Sequence, residues 1–158
     1  MQKQILRGLT MLMLIAGVAM MVALVSAHAQ SSTSVVANVP FEFTVGGKSL
    51  KPGEYSVRAF TANGDTLLIS NQMSNDGALR LSQTIEAREI PKQAKLVFHR
   101  YGQRYFLSEV WSTGERMGRR LQKSSEERAI EGQLAAIPSK SDLARSSYET
   151  VEIVAMVR

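Results

Sequence analysis

The stretch Lys95-Leu-Val-Phe-His-Arg-Tyr-Gly-Gln-Arg-Tyr-Phe-Leu-Ser-Glu-Val-Trp111 constrains the fold more than any other. Gly102-Gln103 reads as a two-residue hairpin loop of type II′, with glycine at the position that needs positive φ. That loop sets Tyr101 opposite Arg104, His99 opposite Phe106, Phe98 opposite Leu107 and Leu96 opposite Glu109. Residues alternate between faces along a strand. One face of the hairpin then carries Leu96, Phe98, Tyr105 and Leu107. The other carries Val97, His99, Tyr101, Phe106 and Val110. A hairpin apolar on both faces has to be covered twice, so it belongs at the centre of a domain.

Similar alternation recurs along the chain. Val39, Phe41, Phe43 and Val45 share one face of a strand that Pro40, lacking an N–H, confines to an edge or a strand start. Pro52-Gly53 reads as the centre of a type II turn, with positive φ at Gly53. Tyr55, Val57 and Ala59 alternate next. Asn63-Gly64 marks a hairpin in which both residues accept positive φ. Leu67 to Ser70 returns, and Leu79, Leu81 and Ile85 mark a further strand with Arg80, Ser82 and Thr84 opposite. Asn71, Asn75 and Asp76 carry oxygen ligands, but with one charge among them they read as a turn. Val151, Ile153, Ala155 and Val157 form the inward face of a closing strand. One helix is expected over residues 124–137. Ser124 and Glu127 have capping-box spacing, Ala129, Ile130, Leu134 and Ile137 share a face, and Pro138 stops it. About seven strands with one late helix predict an all-β, mainly antiparallel domain, either a small sandwich or a rolled barrel.

The N-terminus has a different character. Lys3 and Arg7 precede an uncharged run, Leu9 to Val25, and Ala27 and Ala29 stand at the small-residue positions of a cleavage site before Gln30. This order predicts a secretory signal peptide over residues 1–29. A Ser-rich linker over 30–34 and one domain over 35–158 follow. The expected localisation is exported, periplasmic or extracellular, with membrane contact only through the leader. The chain has no cysteine, so an exported domain of this kind is held by its core and not by disulfides.

The same census limits the chemistry. With Cys absent and His28 leaving with the leader, His99 is the one histidine of the mature chain. Zinc sites built from several Cys or His ligands are excluded, and no metal or cofactor is expected. A hydrolytic triad would have to use His99, and no G-x-S-x-G elbow is present. His99 and Arg100, adjacent on a strand, point to opposite faces. Glu42, Glu54, Asp65, Asp76, Glu86, Glu89 and Glu109 show no spacing that selects a catalytic pair. Glu109, placed beside Leu96 and Leu107, calls for a salt-bridge partner. Arg119, Arg120 and Lys123 cluster, but the full chain is only +5. That is too weak for a nucleic-acid partner. It leaves an anionic polymer, a headgroup or a solvated basic face as readings of the cluster.

The segments VPFEFTVGGKSLKPGEYSV and KLVFHRYGQRYFLSEVW resemble a group of short exported bacterial β-proteins. Their pattern is V-P-F-x-F-x-V-G, an L-P-x-G-x-Y turn, and L-V-F-H-R-Y-G-x-x-Y-F-L-x-x-V-W. The likeness covers roughly Val36 to Lys123, with Leu50-Lys51-Pro52-Gly53 departing from L-P-x-G. It implies an exported β domain and carries over no activity and no catalytic residue. Two functional readings follow. One is a non-enzymatic module binding a partner protein or envelope polymer, with His99, Tyr101, Arg104, Arg119 and Arg120 as candidate binding residues. The other is a small hydrolase or isomerase using His99 or carboxylates in a pocket between sheet and helix.

Overall fold

The computed structural model describes residues 33–135 and 148–158. The leader, the cleavage residues Ala27, Ala29 and Gln30, and Ile137 and Pro138 lie outside the described residues.

Among the described residues the domain has ten strands and one helix: β1 (Ser34–Val39), β2 (Phe43–Val45), β3 (Lys48–Leu50), β4 (Gly53–Ala59), β5 (Thr66–Asn71), β6 (Gly77–Glu86), β7 (Ala94–Tyr101), β8 (Arg104–Trp111), β9 (Met117–Leu121), α1 (Ser125–Ala135) and β10 (Glu149–Val157). The hydrogen-bonded order is β3-β2-β8-β7-β10-β1-β4-β5-β6-β9, and β9 pairs back onto β8. This closes an eight-stranded antiparallel barrel, with the short β2–β3 hairpin attached outside the ring. Of the two expected architectures, the rolled barrel with one late helix is the one formed. β8 makes closure possible by changing partner along its length. Phe106 in its first half lies beside Thr44 of β2, in parallel, while Glu109 and Val110 in its second half pair with Arg120 and Arg119 of β9.

The ring also joins the ends of the domain. β10 runs between β7 and β1, and Ser34 and Arg158 exchange both backbone hydrogen bonds at 2.9 and 2.8 Å. Ser34 thus belongs to a strand and not to the expected linker.

A barrel of eight strands has an interior just wide enough for side chains to fill. Here Phe43, Tyr55, Phe98, Leu50, Ile69 and Leu96 fill it, each almost fully buried. Phe98 meets Phe41 and Phe43 edge-on at 5.2 and 5.3 Å, and Phe41 stacks on Tyr105 at 4.0 Å.

Several expectations change once partners are assigned. The run Val39–Val45 does keep one apolar face, with all four residues in or against the core. Pro40 nevertheless splits it into β1 and β2, which sit in different parts of the sheet. β3 falls within Gly46–Tyr55, a stretch whose Gly, Lys and Pro content reads as a turn. It forms because Gly46 and Gly47 both take positive φ (59° and 94°) and make the hairpin turn one step earlier. Gly53 has no positive φ, so Pro52-Gly53 is not a type II turn. Gly53 begins β4, and its missing Cβ leaves room for the Asn71 side chain, whose Nδ2 lies 2.8 Å from where that carbon would be. At Asn63-Gly64 only the glycine has positive φ (71°).

β6 faces the opposite way from its apolar pattern. Leu67 and Ile69 of β5 point into the core and pair with Arg80 and Ala78. Directly paired residues share a face, so Leu79 and Leu81 are turned outward and are about half exposed, while Ser82 is buried. A one-residue offset is enough to exchange the faces of a strand. Here the offset is set by the turn at Asn71–Gly77, where Asn71 Oδ1 accepts from the amides of Met73 and Ser74 and the Asn71 amide donates to the Asp76 carbonyl.

The β7–β8 hairpin keeps the expected pairs up to Phe98–Leu107, then changes register. Val97 pairs with Glu109 and Leu96 with Val110, leaving Ser108 as an unpaired bulge residue. The bulge moves Val110 onto the core face and Glu109 onto the outer face. Glu109 there accepts from Trp111 Nε1 at 2.9 Å and pairs with Arg120 at 2.8 Å, the partner that a half-buried carboxylate requires.

Trp111 lies flat on Gly118 of β9. A Cβ on Gly118 would fall 2.4 Å from ring carbon Cε3. Gly118→Ala is therefore expected to lift the ring, lower stability by about 1–3 kcal/mol, and shift the emission of the sole tryptophan to the red. Unchanged emission would show that the ring does not rest on the backbone there.

Candidate functional site

The outer face of the hairpin is the second covered surface, and α1 covers it by polar contacts. Of the expected apolar face of the helix, Ile130 alone among the described residues is half-buried. Leu134 is 40% exposed, Ala129 is exposed, and Glu127 is the one buried residue of α1. Ser124 caps the helix, accepting from the Glu127 amide at 3.0 Å. The Glu127 carboxylate does not complete a capping box. Its Oε1 accepts from His99 Nδ1 at 2.8 Å and from the Tyr101 hydroxyl at 3.4 Å. The Tyr148 ring stacks on the His99 imidazole, centroids 3.9 Å apart, and Lys123 stands 5.3 Å from the centre of the same ring. Arg104 pairs with Glu126, and Lys123 with Glu131 at 2.7 Å, on the flanks.

His99, Tyr101 and Arg104 thus come together around one end of α1, as residues of a single outer surface. Arg119 and Arg120 do not join each other. Arg119 turns to Thr84 and to the Asn63 carbonyl, at 2.9 and 3.0 Å. Arg120 goes to Glu109 on the other face of β9. The expected cluster is divided because neighbours on a strand point apart. Sequence reasoning missed Glu127 as a partner of His99. The one available signal was an acid at the third residue after a cap, and capping already accounted for it.

The burial of Tyr101, with the Glu127 carboxylate beside it, pushes its phenol pKa well above the ordinary 10. The unfolded chain loses this proton near pH 10 while the folded chain holds it. The folded state binds more protons above pH 10, so stability declines as pH rises from there and is complete below it. In an alkaline titration followed by phenolate absorbance, Tyr101 should contribute a late phase, and Tyr101→Phe should remove it. A late phase that survives the substitution would contradict this assignment.

A groove of about 630 Å³ runs past this cluster, outside β7, β8 and β10 and under the loop 87–92. His99, Trp111 and Tyr148 contribute to its floor. Trp111, His99 and Tyr101 are each at least nine-tenths buried, so no open platform of rings is presented. Its walls carry the ion pairs Lys95–Glu152 and Arg120–Glu109, and Glu86 of the wall pairs with Arg116. The carboxylates here are mostly engaged with cations, not poised as a free pair.

A histidine oriented by a carboxylate is the usual arrangement of a general base. A nucleophilic mechanism needs a hydroxyl or thiol on the other nitrogen. No hydrogen bond from His99 to such a group is found among the described residues. Nor do the described residues contain a group of three or more His, Cys, Asp or Glu able to hold a metal. No known family, no curated protein and no solved structure matches this chain.

Proposed function

We propose that this domain is an exported, non-enzymatic binding module. Its partner is a polar, extended chain, an envelope polymer or a polypeptide segment, held in the groove outside β7, β8 and β10. The single observation behind this reading is the contrast between the two sides of the barrel wall. The interior is filled by aromatic and aliphatic side chains, so a ligand has to sit outside. The roomy concavity there is walled by charges of both signs, suited to a partner with alternating polar groups. Export rests on the leader-like order of Lys3, Arg7, Leu9–Val25 and Ala27-His28-Ala29. The secreted chain should begin at Gln30, and a secreted mass equal to the full chain would remove that part of the reading.

Trp111 in the groove floor supplies the assay. Titration with peptidoglycan fragments, soluble glycans and unstructured peptides should change its emission with one of them, and the amide shifts should map to β7, β8 and β10. Shifts confined to other faces would end the proposal.

The alternative reading, a small hydrolase or isomerase, draws on the His99–Glu127 pair. Under it, His99→Asn would abolish turnover of an ester or glycoside substrate while leaving the barrel folded. Under the binding reading, no turnover is present to lose.

A further inference from the structure

A second concavity, of about 550 Å³, lies where β9 runs out into α1 beside the β2–β3 turn. Four cationic side chains line it, Arg80, Arg120, Lys123 and Arg128, and among the described residues no carboxylate does. They come from three places in the fold: β6, the end of β9 with its following loop, and α1. Two have carboxylate partners elsewhere, Arg120 with Glu109 and Lys123 with Glu131. Arg80 and Arg128 have no ion pair among the described residues. Arg80 is half-buried and leans on Gly46, where a Cβ would fall 2.0 Å from its guanidinium carbon. A half-buried guanidinium held against a backbone, without a counter-charge, invites one from outside.

We propose that this concavity is an anion site for a phosphate-class group, separate from the groove of the proposed function. Three arginines and a lysine from different elements suit an ion with several oxygens and more than one charge. Guanidinium forks bind such oxygens in pairs, and a lysine adds a point charge. Ser124 and Ser125 line the same concavity and add hydroxyl groups. The sequence brings Arg120, Lys123 and, through the first turn of α1, Arg128 near one another, but only the pairing of β6 with β9 adds Arg80.

The chemistry is the same whether the phosphate is free or belongs to a lipid headgroup. The test therefore has two arms on the folded secreted domain. One is titration with inorganic phosphate and pyrophosphate. The other is sedimentation with phosphatidylcholine vesicles, with and without phosphatidylglycerol. Saturable shifts at Gly46, Ser125 and the Arg80 and Arg128 side chains, in the first arm, mark a free-phosphate site. Binding only to the phosphatidylglycerol vesicles marks a headgroup site. In either case Arg80→Gln with Arg128→Gln should weaken binding about tenfold or more, whereas Arg58→Gln, an exposed arginine elsewhere on the barrel, should not. Because Arg80 packs on Gly46, Arg128→Gln alone, on the helix surface, guards against loss of fold and should still weaken binding severalfold. No binding in either arm, or equal weakening by Arg58→Gln, would overturn the site. Failure here leaves the groove untouched, since the two concavities have only Arg120 in common.

Discussion

Glu127→Ala is expected to release α1 from the barrel while the barrel itself stays folded. Glu127 is the one buried residue of the helix, and its carboxylate is the shared acceptor for His99 and Tyr101. Removing it leaves two donors facing each other at a covered surface, and each buried donor left without its acceptor costs about 1–3 kcal/mol. An eleven-residue helix has little stability of its own, since isolated helices shorter than about 12–15 residues are marginal in water. The remaining tethers, Arg104–Glu126 and Lys123–Glu131, are solvent-exposed or half-exposed pairs, each worth about 1 kcal/mol or less. Amide exchange over Arg128–Ala135 should become fast and helical ellipticity should fall, with β6–β8 protection retained. Glu127→Gln, which keeps an acceptor oxygen in place, should be milder. Full protection of α1 in the alanine variant would mean that apolar contacts hold the helix.

A second large effect belongs to the interior. Phe98→Ala should destabilise the whole barrel by about 3–5 kcal/mol. In a domain of this size that amounts to a fall in Tm of roughly 10 °C or more. The ring is fully buried and is shared by Phe41 and Phe43, which bring the β1–β2 connection and β2 against β7. Its loss leaves a cavity that strands locked by hydrogen bonds on both sides cannot collapse to fill. Tyr105→Ala is the comparison: it is partly exposed and at the margin of the core, so its cost should be clearly smaller. Equal costs would indicate that the interior is less tightly packed than its burial implies.

The two variants separate what holds the two faces of the β7–β8 hairpin. Its inner face is held by apolar burial distributed over many residues. On the outer face Phe106, Val97 and Trp111 are buried too, but the hydrogen bonds that fix α1 there converge on one carboxylate. A single substitution can therefore undo the outer layer, whereas the inner one responds in proportion to the volume removed. α1, which borders the second concavity, belongs to this more easily released outer layer.

The hairpin also shows how far the sequence could be read. Its turn, and the pairs from Tyr101–Arg104 to Phe98–Leu107, follow from Gly102 and from alternation. The bulge at Ser108 does not, because it depends on β8 leaving β2 and meeting β9. Leu79 and Leu81 illustrate the same limit. Their spacing marks a strand, but its inner face was chosen by the pairing with Leu67 and Ile69. β3 and β9 are not legible in the sequence, because strands of three and five residues carry too little alternation to be distinguished from turns. His99 stood out for its rarity, and Glu127 for its distance from Ser124. Nothing local connects two residues from different elements.

Taken alone, the sequence determined a cysteine-free β domain, the positions of most of its strands and the start of its helix. These depend on neighbours one to four residues apart, where sterics and alternation act directly. Barrel closure, the face of β6, the outward turn of Glu109 and the meeting of His99 with Glu127 were decided by the tertiary structure. Each is a choice among pairings of similar local energy, settled only when distant strands compete for the same edge and the same core.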